Sequence, residues 1–99
     1  MEYALQQVMT ATELKELLAR KLMAASVEVS DESAQHRGHL GAMSGGGHFR
    51  VRIVANVFEG KSLIDRHRMV NEAVGMGANP LVHALSIQAF TEEEWNARS

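Results

Sequence analysis

The 99-residue chain contains no cysteine. Disulfides, redox dithiols and thiol nucleophiles are thereby excluded, and so is any thiolate metal ligand of the chain's own. Long hydrophobic runs are missing too, the apolar stretches falling far short of the roughly 18 residues that a membrane span requires. Neither sign of charge prevails. Ten basic residues against 12 acidic ones leave a net charge of -2, so no overall field draws the chain to nucleic acid, and such binding would need a local basic patch. Aromatic residues make up 5% of the chain, few for a surface that stacks bases. There is no Gly-x-Ser-x-Gly elbow and no phosphate-cradling Gly-x-x-x-x-Gly-Lys segment. Asp31 and Glu32 near His36 read as solvated carboxylates, and the chain is expected not to be an enzyme.

The composition that remains, 45% hydrophobic and 22% charged, is that of one ordinary globular domain. Met1-Glu2-Tyr3 lacks the basic opening and apolar run of a secretory signal, and Glu2 and Glu13 argue against a transit peptide. A cytoplasmic or nucleocytoplasmic protein is expected. Residues 1–9 read as an extension and residues 10–99 as the domain.

Thr10-Ala-Thr-Glu13 has capping-box spacing and predicts a helix to about Met23, with Leu14, Leu17, Leu18 and Leu22 on its apolar stripe. Val27-Glu-Val29 alternates as a short strand. Gln35 to Gly47 carries five of the eight glycines and predicts an exposed, mobile loop. From His48 a half-buried strand follows, with Phe49, Val51, Ile53 and Ala55 on one side and Arg50, Arg52 and Val54 on the other. Ser62-Leu-Ile-Asp65 caps a second helix to about Val74, whose stripe is read as Leu63, His67, Val70 and Val74, ended by Gly75 or Gly77. Val82 to Phe90 is a third strand, and Thr91 caps a short terminal helix with Glu94. The order helix, strand, strand, helix, strand, short helix predicts an α+β two-layer sandwich with a three-stranded sheet.

Five histidines are the chemistry-bearing residues. Imidazole is the commonest neutral metal ligand, and a nitrogen-only donor set needs its sulfur from elsewhere. His36-Arg-Gly-His39 has a spacing found in metal sites, but equally fits two solvated loop histidines. His83 opens the third strand, where a satisfied strand-end histidine is the plain reading. His48 is read as structural and His67 as part of the core. Lys61, Arg66 and Arg68, with Arg50 and Arg52, are candidates for a local basic surface. A solvated helix face balanced by Asp65 and Glu72 is the simpler account.

Several segments in order then match one family: Val27-Glu-Val-Ser-Asp31-Glu-Ser33 with His36, His48-Phe-Arg-Val51, Phe58-Glu-Gly-Lys-Ser62, Arg66-His-Arg-Met-Val70, and Val82-His-Ala-Leu-Ser-Ile87 with Trp95. Over residues 12–96 the chain resembles the BolA family. The resemblance implies a KH-like fold and a heterocomplex with a monothiol glutaredoxin of the CGFS type, the two sharing a 2Fe-2S cluster. The glutaredoxin cysteine and a glutathione would supply two sulfurs. His83 and His36 would supply the nitrogens, with His39 as the alternate to His36. A monomer in isolation and a heterodimer with the glutaredoxin are expected, and function would lie in cluster trafficking or iron regulation. The family also includes DNA-binding regulators, so a nucleic-acid-binding regulator using the basic helix face is the second reading. Gly38-His-Leu-Gly41 has the letters of a KH nucleotide clamp but lies between strands and not between helices.

Overall fold

The computed structural model describes residues 9–32, 47–76 and 82–98, apart from the side chain of His83. The expected order holds. Helix α1 spans Ala11–Leu22, strand β1 Ser26–Asp31, strand β2 Gly47–Val54, helix α2 Leu63–Val74, strand β3 Val82–Phe90 and helix α3 Glu92–Ala97, with a 3₁₀ turn at Asn56–Phe58. The predicted extension falls almost entirely outside the described residues, but Met9 already packs against the core. The predicted loop also lies outside them, except for Gly47, which is the first residue of β2.

The helix ends are set by side-chain caps. At α1 the Glu13 amide donates to Thr10 Oγ1 at 3.0 Å while the Thr10 amide donates to Glu13 Oε1 at 2.8 Å, satisfying two otherwise orphaned donors. Ser62 caps α2 through the Asp65 amide. Gly75 closes α2 at φ 79°, a left-handed conformation in which a Cβ would be strained. Thr91 and Glu94 repeat the capping box at α3.

The sheet order is β1-β2-β3, with β1 and β2 antiparallel and β2 and β3 parallel, α2 providing the crossover. On the inner face Val27, Phe49, Val51, Ile53 and Ala89 pack with Leu14, Leu18 and Leu22 of α1 and with Val70 and Val74 of α2. The outer face carries Glu28, Ser30, Arg50, Arg52, Ser86 and Gln88 by strand alternation. Val54, expected on the outside, is buried there. Its β3 partner is Phe90, and Phe90 packs on Trp95 of α3 with ring centroids 5.4 Å apart, so aromatic side chains cover that corner.

Helix α2 corrects the predicted stripe. Its buried positions are Arg66, Val70 and Val74, spaced by four, with Met69 and Ala73 beside them. His67 is exposed, not a core residue, and Leu63 and Ile64 are each 66% exposed. The spacing of Leu63, His67, Val70 and Val74 was sound as helical geometry. It pointed about one residue away because the inward position of the first full turn is filled by an arginine.

Candidate metal centre

Mixed pairing decides where the candidate ligands are carried. Asp31 at the end of β1 pairs with Phe49, and Gly47 at the start of β2 pairs with Val82 at the start of β3. The end of β1 and the starts of β2 and β3 therefore share one end of the sheet. Segment 33–46 leaves from that end and returns to it. His36 and His39 lie in this segment, outside the described residues, and His83 is the second residue of β3.

The β2–β3 register shifts there. Gly47 pairs with Val82, but the next residue, His48, pairs with Ala84, so His83 is the extra residue of a bulge. Bulges interrupt a ladder and re-aim the chain, and they concentrate beside functional sites. Gly47 is held to glycine at this point. A Cβ there would run into Cε2 of Phe49 and stand 2.7 Å from its Cζ, and the Phe49 ring is buried in the core.

Beside the bulge, on the outer face, is a cleft of about 290 Å³ lined by Glu32, His48, Arg50, Ala84 and Ser86. The Glu32 amide donates to the His48 carbonyl at 2.7 Å, extending the β1–β2 pairing by one residue. Ser30 Oγ donates to Glu32 Oε2 at 2.8 Å, and Arg50 Nη2 lies 3.8 Å from Glu32 Oε1. The carboxylate is thus fixed from two sides at the cleft wall. His48, half-buried, lines the same cleft. The sequence marks His48 only as a strand start, but its alternation with Arg50 and Arg52 on the outer face, across from Ala84, puts it beside the candidate centre. Among the described residues no three histidine, aspartate or glutamate side chains are grouped to hold a metal.

The five basic candidates do not come together. Arg50 and Arg52 lie on the outer sheet face, where Arg52 Nη2 contacts Glu28 Oε1 at 2.5 Å and its guanidinium stacks 4.6 Å from the Trp95 ring. Lys61, Arg66 and Arg68 belong to the other layer. Arg68 is exposed and meets Asp65 at 3.4 Å. Arg66 is only 7% exposed, which corrects its assignment to a basic surface.

Arg66 instead ties three elements together. Its Nε donates to the Lys61 carbonyl at 3.0 Å and Nη1 to the Ala89 carbonyl at 3.1 Å. Nη1 and Nη2 donate to the two Glu94 oxygens at 2.6 and 3.0 Å. The fork geometry of a guanidinium suits this bidentate pairing, which a lysine could not reproduce. Hydrogen bonding to Arg66, helped by the Thr91 amide, lowers the Glu94 pKa to about 2. The same bond raises that of Arg66 despite its burial. No sequence signal marked this pair, since the two residues are 28 positions apart.

Comparison with known proteins agrees with this architecture. Residues 18–94 match the BolA-like protein family. A BolA-like protein of Dictyostelium discoideum is 40% identical over 84 residues, covering 84% of this chain and 71% of that protein. The DNA-binding transcriptional regulator BolA of Escherichia coli is 35% identical over 86 residues, covering 83% and 79%. Among solved structures, the BolA domain of SufE1 from Arabidopsis thaliana superimposes with a TM-score of 0.72 at 39% identity, over 85% of this chain and 93% of that one. Within the full-length SufE-like protein 1, the chain spans 23% of the length. The chain belongs to the BolA family. It is accordingly a non-enzymatic protein of adaptor or regulatory type.

Proposed function

We propose that this protein is an iron-sulfur adaptor. It binds a monothiol CGFS glutaredoxin and co-ligates a bridging 2Fe-2S cluster through His83 and His36, with His39 as the alternate loop ligand. The observation that carries this reading is topological: the strand ends that flank segment 33–46, Asp31 and Gly47, share one end of the sheet with the bulged start of β3. A rigid strand position paired with a longer connecting segment is an arrangement suited to two-residue ligation, since the strand fixes one donor.

The donor chemistry fits half of a cluster site and no more. Imidazole nitrogens are the candidates, and with no cysteine in the chain the sulfur ligands must come from the glutaredoxin and its glutathione. Nitrogen ligation on one iron raises a cluster's reduction potential relative to thiolate ligation. This chain's contribution is to hold the imidazoles at the sheet end, with Glu32 and Arg50 setting the charge at the adjoining cleft.

Reconstitution with a CGFS glutaredoxin, iron, sulfide and glutathione, followed by visible circular dichroism, tests the reading. His83→Ala is expected to abolish the spectrum of the mixed complex, and an unchanged spectrum would sink the assignment. His36→Ala and His39→Ala, compared in parallel, identify the loop ligand. His48→Ala belongs in the same series because His48 lines the adjoining cleft.

The second reading, nucleic-acid regulation, draws on the printed name of the E. coli relative. The separation of the five basic residues onto two layers, with four of them paired to carboxylates, weighs against it. Binding to duplex DNA that weakens steeply with salt and is lost in Lys61→Ala/Arg68→Ala would favour it.

A further inference from the structure

Strand β3 forms one edge of the sheet along its full length. The direction of its free backbone groups follows from two hydrogen bonds. The Phe90 carbonyl accepts from the Ala55 amide at 2.9 Å and so faces β2. The neighbouring Ala89 carbonyl faces away and accepts from Arg66 Nη1. Alternation along a strand then turns the N–H and C=O groups of Leu85 and Ile87 toward the free side. No described backbone group bonds to them there.

Natural sheet edges are usually blunted by charge, by proline or by a covering element. The opposite edge has such protection in Glu28 and Asp31 of β1. Strand β3 reads Val-His-Ala-Leu-Ser-Ile-Gln-Ala-Phe, with neither a charged residue nor a proline over nine residues. At its C-terminal end the edge runs into a groove of about 440 Å³ lined by Lys61, Leu63, Ala89, Phe90 and Arg98, and by the Arg66–Glu94 pair, whose opposite charges offset one another and leave the groove cationic. Leu63 is exposed there. Lys61 and Arg98 are exposed as well, and neither forms an ion pair among the described residues. The Arg98 guanidinium is held in place by stacking 4.9 Å from both the Phe90 and Trp95 rings.

We propose that the free edge of β3 takes up an extended peptide of a partner protein as a fourth strand, with an acidic residue of that peptide seated between Lys61 and Arg98. Leu85 and Ile87 provide the main-chain hydrogen bonds, and half-exposed apolar side chains on the same strand favour alternating apolar residues in the peptide. From Ile87 to Phe90 is three residues, about 10 Å at ~3.3 Å per residue. The acidic residue therefore stands three or four positions from the paired stretch. A second copy paired about a two-fold axis would run its β3 antiparallel and bring the uncharged Val82 end of that strand, not a carboxylate, to the two cations. A nucleic acid would leave the alternating backbone donors and acceptors unused. Leu85 and Ile87 lie two and four residues beyond His83 on the same strand, but neither is a proposed cluster ligand, so failure of this proposal would leave the iron-sulfur reading untouched.

Two fluorescein-labelled octapeptides, Thr-Val-Thr-Val-Thr-Glu-Asp-Glu and its reverse sequence, serve as probes, each with a counterpart in which lysine replaces the acidic residues. One acidic peptide is expected to bind at least about tenfold more tightly than its lysine counterpart, the scale of two favourable exposed ion pairs. Its binding should slow amide exchange at Leu85 and Ile87. Lys61→Glu/Arg98→Glu should remove that preference while leaving the far-ultraviolet spectrum intact, and Ile87→Pro should remove binding by deleting an outward donor. The proposal is overturned if neither acidic peptide binds, if acidic and lysine peptides bind alike, or if saturation leaves the two amides unprotected. It is likewise overturned if they become protected by self-association at high protein concentration, or only by a single-stranded oligonucleotide.

Discussion

At the scale of single residues, the two most constrained positions are a glycine and an arginine. Gly47 has no room for a methyl group against Phe49, so Gly47→Ala must push a buried ring off its seat. Overpacking of this kind costs about 1–3 kcal/mol, and thermal unfolding should show it as a drop of several degrees in Tm. Arg66 was legible in the sequence only as a charge, and charge argued for the surface. Its burial depends on four acceptor contacts that come from Lys61, Ala89 and Glu94, and no local pattern announces them. The Glu94 carboxyl, with its pKa lowered to about 2, binds fewer protons folded than unfolded at mildly acid pH. Its contribution to stability is complete above the unfolded value near 4.5 and is lost as pH falls toward 2. Urea unfolding across this window should therefore lose part of its pH dependence in Glu94→Gln, and an unaltered pH profile would contradict the pairing.

At the scale of elements, capping chemistry made the helix starts readable. Thr10 with Glu13 and Thr91 with Glu94 satisfy amide donors by local side chains, so the signal needs no tertiary context. Thr10→Ala, at an exposed end, is expected to cost about 1 kcal/mol by equilibrium unfolding. Strand β3 was legible from Val82 to Phe90 because period-two alternation is strong there. The face of α2 was not. Leu63 and Ile64 belong to the apolar periodicity but sit in the first turn, outside the core cluster, where packing and not spacing decides burial. The parallel pairing of β2 with β3 accords with the strand-helix-strand order, in which α2 makes the crossover, but the register between the two strands had no local signal.

At the scale of the whole molecule, α1, all three strands and α2 contribute to one apolar cluster. A single cooperative transition follows from that shared core. Trp95 is the chain's one tryptophan, packed against Phe90, Arg52 and Arg98, and its fluorescence reports the docking of α3. Helix α3 has six residues, too few to persist alone. Fluorescence and far-ultraviolet circular dichroism are therefore expected to change together in urea. An earlier fluorescence transition would make α3 a separately opening unit. The candidate centre was legible in the sequence as a set of histidines and a family pattern. The convergence of β1, β2 and β3 at one end became visible only with the pairing register.

The bulge at the start of β3 bears on how this family can change. Val82 reaches the core, 4% exposed, while Ala84 onward keeps step with β2, and the residue between them absorbs the mismatch. A shortening of this stretch by one residue would force a choice between the burial of Val82 and the alignment of the rest of the strand. Substitution at position 83 faces no such choice. The number of residues around position 83 is therefore fixed by the fold, whatever side chain stands there.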